Sequence, residues 1–158
     1  MGLNKDLNLV IKIFLEEDAF SQEYQVYTLL SQNSCPYVPK FYGSFHNQSL
    51  SSWAILISYE GSEVEGFLTQ TDRQDFFFFP PIFPSQTSSL FSIHLRAAVT
   101  ALHVNGVHHH DLKLENLVRG RDGILKVIDF HLSQILDETS CPENTCPDWQ
   151  WIREIDRS

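Results

Sequence analysis

Residues 117–130 read LVRGRDGILKVIDF, and few chains of this pattern can avoid turning back on themselves. An apolar pair, Leu117-Val118, is followed by a turn at Arg121-Asp122-Gly123. The apolar strand ILKVIDF, residues 124–130, comes next, so the stretch reads as a β-hairpin. The second strand carries Asp129, and an aspartate among apolar neighbours needs a partner or a metal to offset its desolvation. A hairpin returns the chain to where it started. Asp129 is therefore expected to face the polar stretch just before the hairpin, HHHDLKLEN, residues 108–116.

The rest of the chain supplies walls for a cleft. LVIKIF, residues 9–14, reads as a buried strand whose lysine, Lys12, reaches into the cleft. Asp18 is a candidate cap for a following helix, with Phe20, Tyr24, Tyr27 and Leu30 along one face. FYGSF (41–45) and WAILIS (53–58) read as two strands joined by a polar turn. YEGSEVEG, 59–66, reads as a hinge. Residues 69–89 read as irregular, with the Phe run at 76–79 as core or lobe-packing surface, the alternative being a partner-docking patch. A helix is expected over 89–106, with Leu90, Ile93, Ala97 and Leu102 on its apolar face and Gly106 as its stop. The tail from Gln134 onward is weakly patterned. Strands with a helix, a connector, then a helix, a polar loop and a hairpin make an α+β pattern in two sub-lobes.

With 158 residues and 42% apolar composition, one domain is expected. The balance is acidic, 11 basic against 20 acidic residues, which argues against a nucleic-acid partner. MGLNKDLNL carries no apolar signal run, Asp6 stands where a myristoylation motif takes Ser or Thr, and FFFFPPIFP is too short and Pro-broken to span a bilayer. No membrane association and a cytoplasmic, reducing location are expected. Cys35, Cys141 and Cys146 read as unbridged thiols. Cys141 and Cys146 could form half of a zinc site, but no second pair with ligand spacing follows. Adjacent residues point in different directions, so His108, His109 and His110 do not read as ligands of one ion. Lys126 and Glu115 read as solvated.

Phosphoryl transfer needs a carboxylate near the attacking hydroxyl and a cation to offset phosphate charge. It also needs a second carboxylate and an amide oxygen to hold a bridging metal. Asp111, Lys113, Asn116 and Asp129 supply these groups. The run His109-His110-Asp111-Leu112-Lys113-Leu114-Glu115-Asn116 resembles the protein-kinase catalytic loop, and Asp129-Phe130-His131 resembles the Asp-Phe-Gly metal-binding element. Val10-Ile11-Lys12 resembles the Val-Ala-Ile-Lys strand, and Glu23 resembles that lysine's partner on the next helix. The resemblance covers roughly residues 9–135.

This resemblance implies an α+β, partial protein-kinase-like bilobal fold. Residues 1–58 would form a small lobe lacking the Gly-rich loop, 59–66 the hinge, and 67–158 an incomplete helical lobe, in one truncated or divergent kinase-like domain. It implies Asp111 as catalytic base and Lys113 as the cation at the γ-phosphate. It implies Lys12, Glu23, Lys113, Asn116 and Asp129 as nucleotide-binding residues, with Asn116 and Asp129 on the metal. ATP and Mg²⁺ would be the cofactors, and protein Ser/Thr hydroxyls the acceptors, since Lys113 is similar to the lysine of Ser/Thr kinases. Two further readings stand: an inactive kinase-like fragment serving as a nucleotide-binding or interaction module, and a small-molecule kinase of the aminoglycoside or choline type. His109 is expected to hydrogen-bond backbone near the Asp-Phe turn. His110 takes the place of the family's arginine, and His131 that of its glycine.

Overall fold

The computed structural model describes residues 8–61, 84–136, 142 and 144–156. The hinge from residue 62 to 66, the Phe run at 76–79 and Cys141 lie outside the described residues, as does the side chain of Leu90.

Strand β1 (Leu9–Phe14) is followed by helix α1 (Glu17–Gln32) and the hairpin β2 (Phe41–Asn47) and β3 (Ser52–Ser58). The three strands form an antiparallel sheet in the order β1-β3-β2. Side chains alternate across a strand. Trp53, Ile55 and Ile57 of β3 therefore share the face that α1 covers, and Phe14 and Lys12 lie opposite Trp53 and Ile55 on it. The other face of β1 is open, with Ile11 62% and Ile13 66% exposed. The strand expected to be buried is thus an edge strand, buried only at Phe14 and half-buried at Lys12, because among the described residues nothing covers its outer face.

Helix α1 contains no Gly or Pro, and Glu17 and Asp18 stand in its first turn, where the helix dipole favours carboxylates. Glu16, not Asp18, occupies the N-cap, and no side-chain hydrogen bond caps the helix there. Its buried face is Glu23, Val26, Tyr27 and Leu30; Tyr24 lies at its margin and is partly exposed.

Helix α2 runs over Pro84–Val104, so the irregular stretch expected to reach residue 89 is helical from residue 84. Its buried apolar side chains among the described residues are Leu95, Ala98, Val99 and Leu102. Ile93, expected on that face, is exposed, and Ala97 is half-buried. After the helix, Gly106 adopts φ +73°, and a Cβ there would meet the Leu136 carbonyl oxygen at 2.8 Å. Position 106 therefore demands glycine both for its backbone angle and for the close approach of the chain.

Strand β4 (Val107–His108) pairs with β7 (Gln134–Ile135). Between them lie a 3-10 turn (Leu114–Asn116) and the expected hairpin, β5 (Leu117–Arg119) with β6 (Leu125–Val127). The second strand ends at Val127, so Asp129 stands beyond it at φ +68° and not within it. Lys126 is buried, contrary to the solvated reading, because its ammonium donates to the Pro36 carbonyl at 2.7 Å and to Asp122 at 2.9 Å. Glu115 is exposed. The tail is not patternless: Pro147–Ile155 forms helix α3, with Ile152 and Asp148 buried.

One core runs through the whole. Tyr27 on α1 meets Phe130 edge-on, with centroids 5.3 Å apart, and Phe130 is buried with Leu102, Leu117, Val127 and Ile152. Burying a side chain of that size stabilises by roughly 1.5–3 kcal/mol, so this contact is a strong tie between the sheet-and-α1 layer and the loops below. Gly61, where the connector begins, lies against β5: a Cβ there would come within 2.6 Å of the Arg119 carbonyl oxygen. No described helix is long and apolar enough to cross a membrane.

Candidate active site

The sheet presents Lys12 on its inner face, one helical turn-face away from Glu23. Lys12 Nζ lies 2.6 Å from Glu23 Oε2 and 2.6 Å from Asp129 Oδ1. The short link between β1 and α1 is what allows residues so close in sequence to meet. Glu23 is fully buried. Burial raises its carboxyl above the usual range, and the Lys12 ammonium offsets part of that rise. Burial also acts to raise Asp129, but the hydrogen bond and charge of Lys12, with a smaller share from His131, outweigh it and hold the carboxyl below its usual range. His131 Nδ1 is 2.8 Å from the same Oδ1. Two side chains, Lys12 and His131, thus converge on one carboxylate oxygen, and Asp129 stays an anion.

The loop from His108 to Asn116 forms the facing wall. Burial lowers His109, so its imidazole is neutral. The Asp111 backbone N–H donates to His109 Nδ1 at 3.3 Å, which leaves the proton on Nε2 to donate to the Ile128 carbonyl at 2.9 Å. His109 therefore ties the backbone of Ile128, just ahead of Asp129, to that of Asp111, the backbone contact expected of it near the Asp-Phe turn. Asn116 Nδ2 donates to the Asp111 carbonyl at 2.9 Å and to Asp111 Oδ2 at 3.1 Å, while the Ile128 N–H donates to the Asn116 carbonyl at 2.9 Å. Asp111, Asn116 and Asp129 are consequently parts of one hydrogen-bonded corner. Lys113 Nζ donates to Asp111 Oδ2 at 2.7 Å, a bond that pushes the lysine above its usual range and keeps it cationic.

All six residues singled out in the sequence are thus gathered into two adjoining sets, Lys12–Glu23–Asp129 and Asp111–Lys113–Asn116. Among the described residues no hydrogen bond falls on Asp129 Oδ2 or on Asn116 Oδ1. A carboxylate oxygen and a carboxamide oxygen are the hard donors that Mg²⁺ takes.

Sequence reasoning missed Asp148. Its buried carboxylate accepts from the backbone N–H of His109 at 2.8 Å and of His110 at 2.7 Å, and lies 2.9 Å from His103 Nε2. Burial acts to raise this carboxyl, but the His103 bond and the two backbone bonds outweigh it and hold it low. His110 stands at φ +63°, a conformation that costs a residue with a Cβ roughly 1–2 kcal/mol, and the Asp148 clamp holds it there. The available signal was Cys-Pro-Asp-Trp: proline at the first helical position with an acidic residue beside it marks a helix start.

Comparison with known proteins agrees with this geometry. The protein kinase domain family model matches residues 4–153, which extends past the hairpin and into α3. Mitogen-activated protein kinase kinase 1 of Arabidopsis thaliana is 31% identical over 139 residues, 86% of this chain and 36% of that protein. The cAMP-dependent protein kinase catalytic subunit of Schizosaccharomyces pombe is 26% identical over 113 residues, 72% of this chain and 20% of its own length. CBL-interacting serine/threonine-protein kinase 12 of Arabidopsis thaliana is 52% identical over 44 residues, 28% of this chain and 9% of its length. The chain thus spans well under two thirds of the curated relatives it matches. A match that starts before β1 and reaches into α3 takes in both sets of polar residues and the clamp behind them, and on that ground the chain belongs to the protein kinase domain family.

Proposed function

We propose that this chain binds ATP with Mg²⁺ and transfers the γ-phosphate to Ser/Thr hydroxyls of a protein. The observation that carries the reading is the convergence of Asp111, Lys113, Asn116 and Asp129 on one corner, with Lys12 anchored between Glu23 and Asp129. In this reading Lys12 binds the α- and β-phosphates, and Glu23 keeps its ammonium aimed there. Asn116 Oδ1 and Asp129 Oδ2 are the oxygens that would hold Mg²⁺, which when bound supplies positive charge against the phosphate oxygens. Asp111 orients the acceptor hydroxyl and takes its proton. Lys113, already bonded to Asp111 Oδ2, offsets charge at the transferring phosphoryl group, and its position after the base favours protein Ser/Thr acceptors over small molecules.

Transfer of γ-labelled phosphate from ATP to a Ser/Thr-rich protein acceptor tests the reading. The parent chain is expected to label the acceptor, and Asp111→Asn to lose about 10²–10³ of the rate. Equal labelling by both refutes transfer by this site. A Mg-ATP-dependent rise in melting temperature that vanishes in Asp129→Ala, with no labelling, points instead to a nucleotide-binding module without transfer.

A further inference from the structure

Behind the loop, four residues from three segments meet: His103 in the last turn of α2, His108 in β4, Cys146 just ahead of α3, and Asp148 in its first turn. One donor atom from each lies within 4.8 Å of all the others. We propose that this cluster is a structural site for a tetrahedral Zn²⁺ ion, which clamps the ends of α2, β4 and α3 together beneath the catalytic loop.

The separations suit such an ion. Cys146 Sγ is 3.7 Å from His108 Nδ1 and 3.9 Å from His103 Nε2. With Zn–S near 2.3 Å and Zn–N near 2.0–2.1 Å, the S–N edge of a tetrahedron is about 3.5 Å, so a shift of a few tenths of an ångström closes the set. His103 Nε2 and Asp148 Oδ2, 2.9 Å apart, need only part slightly to reach the N–O edge of about 3.3 Å. Charge suits it as well: a thiolate, a carboxylate and two neutral imidazoles bring two negative charges to a divalent cation. Without an ion the two imidazoles stack with centroids 4.0 Å apart and meet the sulfur only at 3.7 and 3.9 Å, where a thiol makes weak hydrogen bonds. Asp148 Oδ1 keeps the His110 N–H and Oδ2 the His109 N–H, so its remaining capacity is free to turn from His103 to a metal.

The further ligands of this site would thus be histidines from the chain's middle and not a second cysteine pair. The adjacent histidines diverge as expected: His108 turns to this cluster and His109 to the Ile128 carbonyl.

The full chain, purified without a histidine tag or chelator, is expected to carry about one zinc per chain by elemental analysis. Cobalt substitution is expected to give intense tetrahedral d–d bands and a thiolate-to-cobalt charge-transfer band. Cys146→Ser and His108→Ala are expected to bind zinc more than about tenfold more weakly, while Cys35→Ser keeps full affinity. A wild-type cobalt spectrum without the thiolate band overturns the proposal, whether or not the variants fold. So does full zinc retention in folded Cys146→Ser and His108→Ala.

Discussion

Lys12 Nζ and Asp129 Oδ1 meet at 2.6 Å across 117 positions of sequence, and that ion pair joins the first strand of the sheet to the turn beyond the last hairpin. The same ammonium is what neutralises the fully buried Glu23, so Lys12 bears on stability as well as on the phosphate binding proposed for it.

Replacing Lys12 by Met separates the two roles. Alone it leaves Glu23 as a buried carboxylate without its cation, a loss of about 1–3 kcal/mol. Adding Glu23→Gln removes the uncompensated charge and is expected to restore most of that stability. Neither protein is expected to carry out the proposed phosphoryl transfer, because the cation proposed to bind phosphate is missing from both. Urea unfolding of the single and double variants alongside the transfer assay checks this. A double variant that is no more stable than Lys12→Met would contradict it.

Asp148 is predicted to act on activity from behind the loop. Asp148→Asn keeps one carbonyl oxygen but turns an amide N–H₂ toward a backbone N–H of His109 or His110. Losing one of two charge-assisted bonds to a buried group costs about 2–3 kcal/mol. With the clamp weakened, His110 is held less firmly at positive φ and Asp111 next to it loses part of its fixed direction. Thermal melts are expected to fall and kcat to fall with them, while KM for Mg-ATP changes little, since Lys12 and Asp129 are untouched.

How much of this was legible depended on whether a residue's partner lay nearby in sequence. The hairpin at 117–127 and the polar loop were readable because turn chemistry and residue order define them locally. Lys12 was legible as a cleft lysine for the wrong reason: its neighbours Ile11 and Ile13 suggested burial on both faces, yet they face outward on an edge strand. Periodicity found α2 but started it at residue 89, not 84, and chose Ile93 over Leu95, because two apolar stripes differ by less than one turn. Lys126 and Asp148 were opaque. Both are charged residues whose burial is decided by partners 90 and 38 or more positions away, Pro36 for one and the His109–His110 backbone for the other.

Acid is predicted to loosen the α2–α3 contact. Asp156, just past α3, accepts from Ser92 and pairs with Arg96 on α2. The Ser92 hydrogen bond first, and Arg96 after it, hold its carboxyl below the ordinary value of 3.8. A carboxyl depressed in the folded state stabilises above its unfolded pKa, and that contribution is lost as pH falls through the folded value. Stability is therefore expected to drop below about pH 5 more steeply in the parent than in Asp156→Asn. Denaturant midpoints measured down the acid limb give the comparison, and parallel curves would rule the contact out as a titrating one.

Two glycines make a matched test of backbone angle against space. Gly106 and Gly123 both sit at positive φ, +73° and +79°, so alanine at either pays the left-handed cost of roughly 1–2 kcal/mol. Only at Gly106 would the new Cβ meet backbone, the Leu136 carbonyl oxygen at 2.8 Å; at Gly123 nothing lies within 4 Å. The Leu136 N–H also donates to the Gly106 carbonyl at 2.8 Å, so the two strands at this point have no slack in which to separate. Gly106→Ala is therefore expected to be the more destabilising by at least about 1 kcal/mol, because a main-chain clash is relieved only by parting β4 from β7. Equal losses in the two variants would mean that the β4–β7 pair yields freely and that Leu136 does not press on the turn.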